Sequence, residues 1–195
     1  RAGCFRNIVY LGWIIKTCEF EQKAQDKALN LYIDTRGAGP RPVTFTEAVV
    51  DGLAAGGGLY VPERIPELTL EDIAALAQLP YAQRAARIYR AFDTDLPAET
   101  VDALMAQIYG SNFDDERICP ITSLTADTHV LELWHGPTSA FKDMALQCLP
   151  RFFSASAAQL REQGKLDHDF LILVATSGDT GKAALEGFRD VDGVS

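Results

Sequence analysis

FLILVATSGDTGKAALEGF (170–188) decides the fold class. Its first six residues are apolar without a break, the pattern of a strand buried on both faces of a parallel sheet. A turn rich in Thr, Ser and Gly follows, and then a helix-forming run. Upstream, HVLELW (129–134) reads as another strand and SAFKDMALQCLPRFF (139–153) as a helix. Phe141, Met144, Ala145, Cys148, Leu149 and Phe152 recur there at helical spacing. Pro150 is a blemish, because deep in a helix it would kink or break it. Gly164 is a plausible C-terminal stop. Strand, helix, strand, helix is the βαβ signature of an α/β domain.

In a βαβ unit the two strands run parallel, so the turns after them emerge at one edge of the sheet. Ligands of open α/β folds bind at that edge. The first turn carries HGPTSAFK (135–142) and the second carries TSGDTGK (176–182). Lys142 and residues 176–181 are therefore expected on one side, at two helix N-termini that offer free N–H groups to an anion. A cation is disfavoured at the positive end of a helix. Either Lys142 is a solvated surface lysine, or its amine works unprotonated, as a lysine that forms a Schiff base with an aldehyde must.

TSGDTGK is not a phosphate loop of the G-x-x-x-x-G-K-[ST] kind. Thr176 stands where its first glycine should be, and Ala183 follows Lys182 where a hydroxyl should hold Mg²⁺. Its two glycines, two threonines and serine still suit a carboxylate. Asp179 would repel an anion, and an N-cap role fits it at least as well as substrate contact. His135 reads as a residue that bonds a backbone carbonyl rather than as a proton shuttle. Asp143, beside Lys142, points another way round the helix and could stabilise its positive end.

Residues 31–110 read as a small, mostly helical domain with a little sheet. LYI (31–33) is a short strand and LYVPERIP (59–66) an extended edge. Thr44 and Glu47 form a capping box for a helix with Phe45, Ala48, Val49 and Leu53 as its apolar stripe, stopped by Gly56-Gly57-Gly58. Further helices begin after Thr69, run about Tyr81–Phe92, and start near Pro97 with Val101, Leu104, Met105 and Ile108 on one face. Residues 1–30 match nothing later in the chain. Their apolar run IVYLGWII (8–15) is far too short to span a membrane and lacks a signal-peptide cleavage site, so they stay unassigned.

The 195 residues carry 18 basic and 27 acidic side chains, for a net charge of −9, which argues against nucleic-acid and anionic membrane partners. Cys4, Cys18, Cys119 and Cys148 are scattered. No metal site or disulfide framework is expected from them, and a reducing cytoplasm fits best.

HGPTSAFKD together with ATSGDTGKAA resembles threonine synthase, a fold-type II (tryptophan synthase beta-like) pyridoxal-phosphate enzyme. YIDTRG, FTEAVVDGLAAGGGLYVPE and the helices to about Tyr109 resemble that family's N-terminal domain. The resemblance covers 31–195. It implies an N-terminal domain over 31–110 and the start of a parallel-sheet catalytic domain over 111–195. It implies that Lys142 holds pyridoxal 5'-phosphate (PLP) as a Schiff base. It implies that Ser177 and Asp179 contact the cofactor, and that Thr176, Ser177, Gly178, Thr180 and Gly181 hold the substrate's amino-acid end. The implied reaction converts O-phospho-L-homoserine and water into L-threonine and phosphate, the last step of threonine biosynthesis. The alternatives are another fold-type II PLP-dependent lyase, or a non-catalytic relative that kept the fold.

Two departures stand out against the family pattern. Asp34 occupies a position where serine is frequent, and Gly56 one where an acid is usual. The family continues beyond the point matching Ser195, with a Gly-rich cofactor-phosphate loop and the residues for the substrate phosphate. Residues 1–195 by themselves are therefore expected to be a fragment that is inactive or a poor catalyst, and prone to aggregate through open sheet edges.

Overall fold

A computed structural model of the chain describes residues 29–39, 41–176 and 178–194. The unassigned stretch 1–28 and Ser177 lie outside the described residues. Strand β1 (Tyr32–Asp34) pairs antiparallel with β2 (Tyr60–Pro62), with Ile33 opposite Val61. Between them lies helix α1 (Phe45–Asp51), started by the expected capping box: the Thr44 hydroxyl accepts the Glu47 amide, and Glu47 returns a bond to the Thr44 amide. The helix ends sooner than the Gly56–Gly58 run. Gly52, with φ of 70°, takes the C-cap, and its amide donates to Ala48. Leu53 therefore falls outside the apolar stripe and is 64% exposed.

Helices α2 (Leu70–Ala77), α3 (Tyr81–Ala91) and α4 (Ala98–Ile108) follow as the caps and periodicity require. Thr69 and Asp72 close a second capping box. On α4, Val101, Met105 and Ile108 are fully or almost fully buried. Helix α6 (Leu149–Glu162) completes the core. Its Cys148 and Phe152 side of the chain packs with Ala86, Leu96, Val101, Met105 and Ile108. Phe152 stacks edge-on against Phe45 of α1 at 5.4 Å. Asp95 ties the same elements together: it accepts the Thr46 amide at 2.8 Å, the Thr46 hydroxyl at 2.6 Å and the Gln159 side chain at 3.2 Å.

The segment 139–153 is not one helix. α5 (Asp143–Leu146) is a single turn, and α6 starts afresh at Leu149, so Pro150 lies in its first turn, where a missing N–H does no harm. This break resets the helical phase. Phe141 and Leu149, expected on the buried stripe, are exposed, while Phe153, Ala157 and Leu160 are buried. Gly164 ends α6 as expected: at φ of 69° it lets the Lys165 amide reach Leu160 O and its own amide reach Arg161 O, a Schellman closure.

The α/β character holds, with helices and small sheets, but the parallel ladder does not form among the described residues. Strand β4 (His129–Leu131) pairs antiparallel with β3 (Ile121–Ser123), a strand that the sequence reading passed over. Residues 171–175 form no strand; Phe170 alone bridges Val194 in parallel. Leu171 and Leu173 are 68% and 84% exposed. An apolar run becomes a buried strand only where neighbours pair with its backbone, and none does here. Helix α7 (Asp179–Phe188) then closes the chain against α5 and α6. Among the described residues no helix is long and apolar enough to cross a membrane.

Candidate functional site

The segment around Lys142 is built on a buried carboxylate. Asp143 is 0% exposed and accepts the Thr138 amide at 2.8 Å and the Thr138 hydroxyl at 2.7 Å. Gly136 packs so closely on this carboxylate that a Cβ there would lie 2.5 Å from Asp143 Cβ. Ser139 takes a left-handed φ of 57°, and its amide closes a turn onto Gly136 O at 3.0 Å. A non-glycine residue in that region is strained, and the Asp143–Thr138 pair holds the turn against it. Asp143 is therefore more than a charge near a helix end: it is the anchor of the turn.

Lys142 sits at the N-cap of the one-turn α5 rather than inside a long helix, which removes most of the helix-dipole argument for its amine. Its Nζ lies 4.9 Å over the exposed Phe141 ring. The carboxylate next to it in sequence is engaged by Thr138, and among the described residues Lys142 makes no ion pair.

The second motif enters α7. Gly178 is the N-cap and Asp179 the first helical residue, so Asp179 does not cap with its side chain; it places a negative charge in the first turn, where the dipole favours it. Thr176, Gly178, Asp179 and Thr180 are exposed, and Gly181 is buried. A Cβ at Gly181 would lie 2.5 Å from Thr176 Cγ2, so the glycine lets the turn fold back on the helix. At the far end of α7, a Cβ at Gly187 would overlap the Leu146 carbonyl oxygen; glycine there seats α7 directly on α5.

Among the described residues, one hydrogen bond joins the two motifs. Lys182 Nζ donates to Thr138 O at 2.9 Å. It ties the turn just before Lys142 to the first turn of α7. Lys182 thus binds a carbonyl of this chain. No local signal marks this contact, which spans 44 positions.

His135 behaves differently from its expected role. Among the described residues its ring bonds no backbone carbonyl; Nε2 pairs with Glu132 at 2.7 Å and Nδ1 with Asp114 at 2.5 Å. The bonds to Glu132 and Asp114 raise the imidazole above its ordinary 6.5. Bonds from Thr122 and then His135 hold Glu132 below its ordinary 4.5. The stability contributed by His135 is complete below pH 6.5 and lost as pH rises through its raised value; that of Glu132 is complete above 4.5 and lost as pH falls through its lowered value. The clasp fastens the segment preceding Gly136 to the loop at Asp114.

With this geometry in hand, the relatives are informative. Residues 31–109 match the family model described as threonine synthase N terminus. The chain matches the N-terminal part of the threonine synthases. It is 43% identical over 164 residues to threonine synthase of Pseudomonas aeruginosa, covering 84% of this chain and 33% of that protein. It is 35% identical over 177 residues to human threonine synthase-like 1, covering 86% of this chain and 23% of that protein. The crystal structure of PLP-bound threonine synthase from Brucella melitensis superposes with a TM-score of 0.76 at 38% identity, over 85% of this chain and 34% of that one. The chain thus spans about a third of the length of these threonine synthases and matches their N-terminal portion.

Proposed function

We propose that the protein represented by this chain is a PLP-dependent threonine synthase, converting O-phospho-L-homoserine and water into L-threonine and phosphate. The observation that carries the proposal is the Lys182–Thr138 hydrogen bond, which joins the Lys142 turn to the first turn of α7. The residues suit the cofactor. Lys142 has no acidic partner among the described residues, and the Gly178 turn has open space at its Cβ position. When bound, PLP supplies an electron sink for carbanion character at the substrate carbons.

In this reading Lys142 would hold the cofactor through its Nζ and would move protons at the reacting carbons. Ser177 and Asp179 contact the cofactor. Thr176, Ser177, Gly178, Thr180 and Gly181 receive the substrate's amino-acid end, with first-turn amides and hydroxyls facing its carboxylate. Asp143 keeps the Lys142 turn in place. The partner is this small phosphorylated amino acid, with neither nucleic acid nor membrane as ligand, and the working compartment is the cytoplasm.

The test is phosphate release and threonine formation from O-phospho-L-homoserine by the full-length protein, beside its Lys142→Ala variant. The proposal requires both products from the parent and neither from the variant. A parent that takes PLP and releases phosphate or ammonia from a different amino acid would be a related lyase. A non-catalytic relative that kept the fold would form no product at all.

A further inference from the structure

We infer that Lys182 is a positioning residue: through the Thr138 carbonyl it makes the placement of Lys142 depend on helix α7. The inference rests on the proposed function for its consequence, though not for its geometry. Three observations support it. The bond from Lys182 Nζ ends on Thr138 O at 2.9 Å, across 44 positions of sequence. Thr138 is not a mobile acceptor, because its amide and hydroxyl are both taken by the fully buried Asp143 carboxylate. Asp143 is the residue after Lys142 and begins α5.

Lys182, Thr138 and Asp143 therefore form a chain of three from the first turn of α7 to the backbone beside Lys142. The other end of α7 is seated on α5 through Gly187, whose missing side chain leaves room for the Leu146 carbonyl. Two attachments, one at each end of the helix, fix its position relative to α5. A turn that holds Ser139 at a φ of 57° needs such support to keep a single geometry. The carbonyl takes one of the three N–H donors of Lys182. A ligand that orders residues 178–181 would in this way be felt at Lys142.

The test uses amide hydrogen exchange on the full-length protein without PLP, comparing the parent with Lys182→Met and Lys182→Arg. Lys182→Met is expected to speed exchange over residues 137–142 by roughly two- to tenfold, the span produced by losing one net hydrogen bond. Lys182→Arg keeps a donor and a charge and is expected to return exchange to the parent's level. With PLP and borohydride, Lys182→Met should take label more slowly at Lys142 and at an unchanged rate at Lys165. Unchanged exchange over 137–142 in Lys182→Met overturns the inference. If exchange rises along the whole chain, the parent decides: a nuclear Overhauser contact between the Lys182 ε-methylene and the Thr138–Ser139 backbone supports it, and its absence overturns it. A parent that takes no label at Lys142 would defeat the PLP reading while exchange still judges the clasp.

Discussion

The Asp34 carboxylate fills the space that a side chain at position 56 would need. A Cβ at Gly56 would overlap Asp34 Oδ2, and one at Gly58 would overlap Oδ1. These are the two places where the chain departs from the family pattern of serine and acid. In the structure the two departing positions, Asp34 and Gly56, meet: glycine at position 56 leaves room for the Asp34 carboxylate. Gly56–Gly58 thus serves close approach to Asp34 rather than the end of α1.

A double-mutant cycle at these positions is the first prediction. Gly56→Asp alone sets a new side chain and a second charge against Asp34, and should destabilise by about 2–4 kcal/mol. Adding Asp34→Ser should recover part of that, with a coupling of about 1–3 kcal/mol in urea titrations. Ala38 also borders position 56, so recovery should be incomplete.

Asp143 gives the second. Asp143→Ala leaves the Thr138 amide and hydroxyl without their acceptor inside the protein, and should lower stability by about 3 kcal/mol. Thr138→Val, which keeps the amide bond and removes only the hydroxyl, should lose about 1–2 kcal/mol. Equal losses in the two variants would mean that the amide bond contributes nothing.

The packing of α7 on α5 gives the third. Gly187→Ala should destabilise by about 2–4 kcal/mol, because its methyl would meet a backbone carbonyl that cannot rotate away. Gly178→Ala meets open space and should change stability by less than about 1 kcal/mol. Thermal melts of the two side by side separate a packing glycine from one at an open turn.

Acid lability is the fourth. Burial opposes the charge of Glu47, but bonds from Arg41, the Thr44 amide and Lys165 outweigh it and hold the group at about 2, below its ordinary 4.5. Its contribution is complete above pH 4.5 and is lost as pH falls towards 2. After screening at the exposed Arg41 and Lys165, that contribution is roughly 1–2 kcal/mol. Stability measured from pH 5 to about 2.5 should fall less steeply in Glu47→Gln than in the parent.

The local signals in the sequence were reliable where both partners lie within one turn. Thr44 with Glu47 and Thr69 with Asp72 announced their helices, and Gly164 announced the end of α6. Pro150 marked a real break, although the strength of the apolar stripe argued for one long helix. Hydrophobicity alone misled at 171–175, because it reports a liking for burial and says nothing about which strand is present to pair. The two motifs of the candidate site were legible as types of residue. The Lys182–Thr138 bond was not, because a contact across 44 positions leaves no periodicity to read.

Reduction by borohydride in the presence of PLP, followed by peptide mapping, tests the central claim most directly. If the Lys142 turn and the start of α7 form one cofactor site, the pyridoxyl group will be found on Lys142 at substoichiometric PLP, with Lys165 and Lys182 unmodified. Label distributed evenly over Lys142, Lys165 and Lys182, growing in proportion to PLP without saturating, would contradict it.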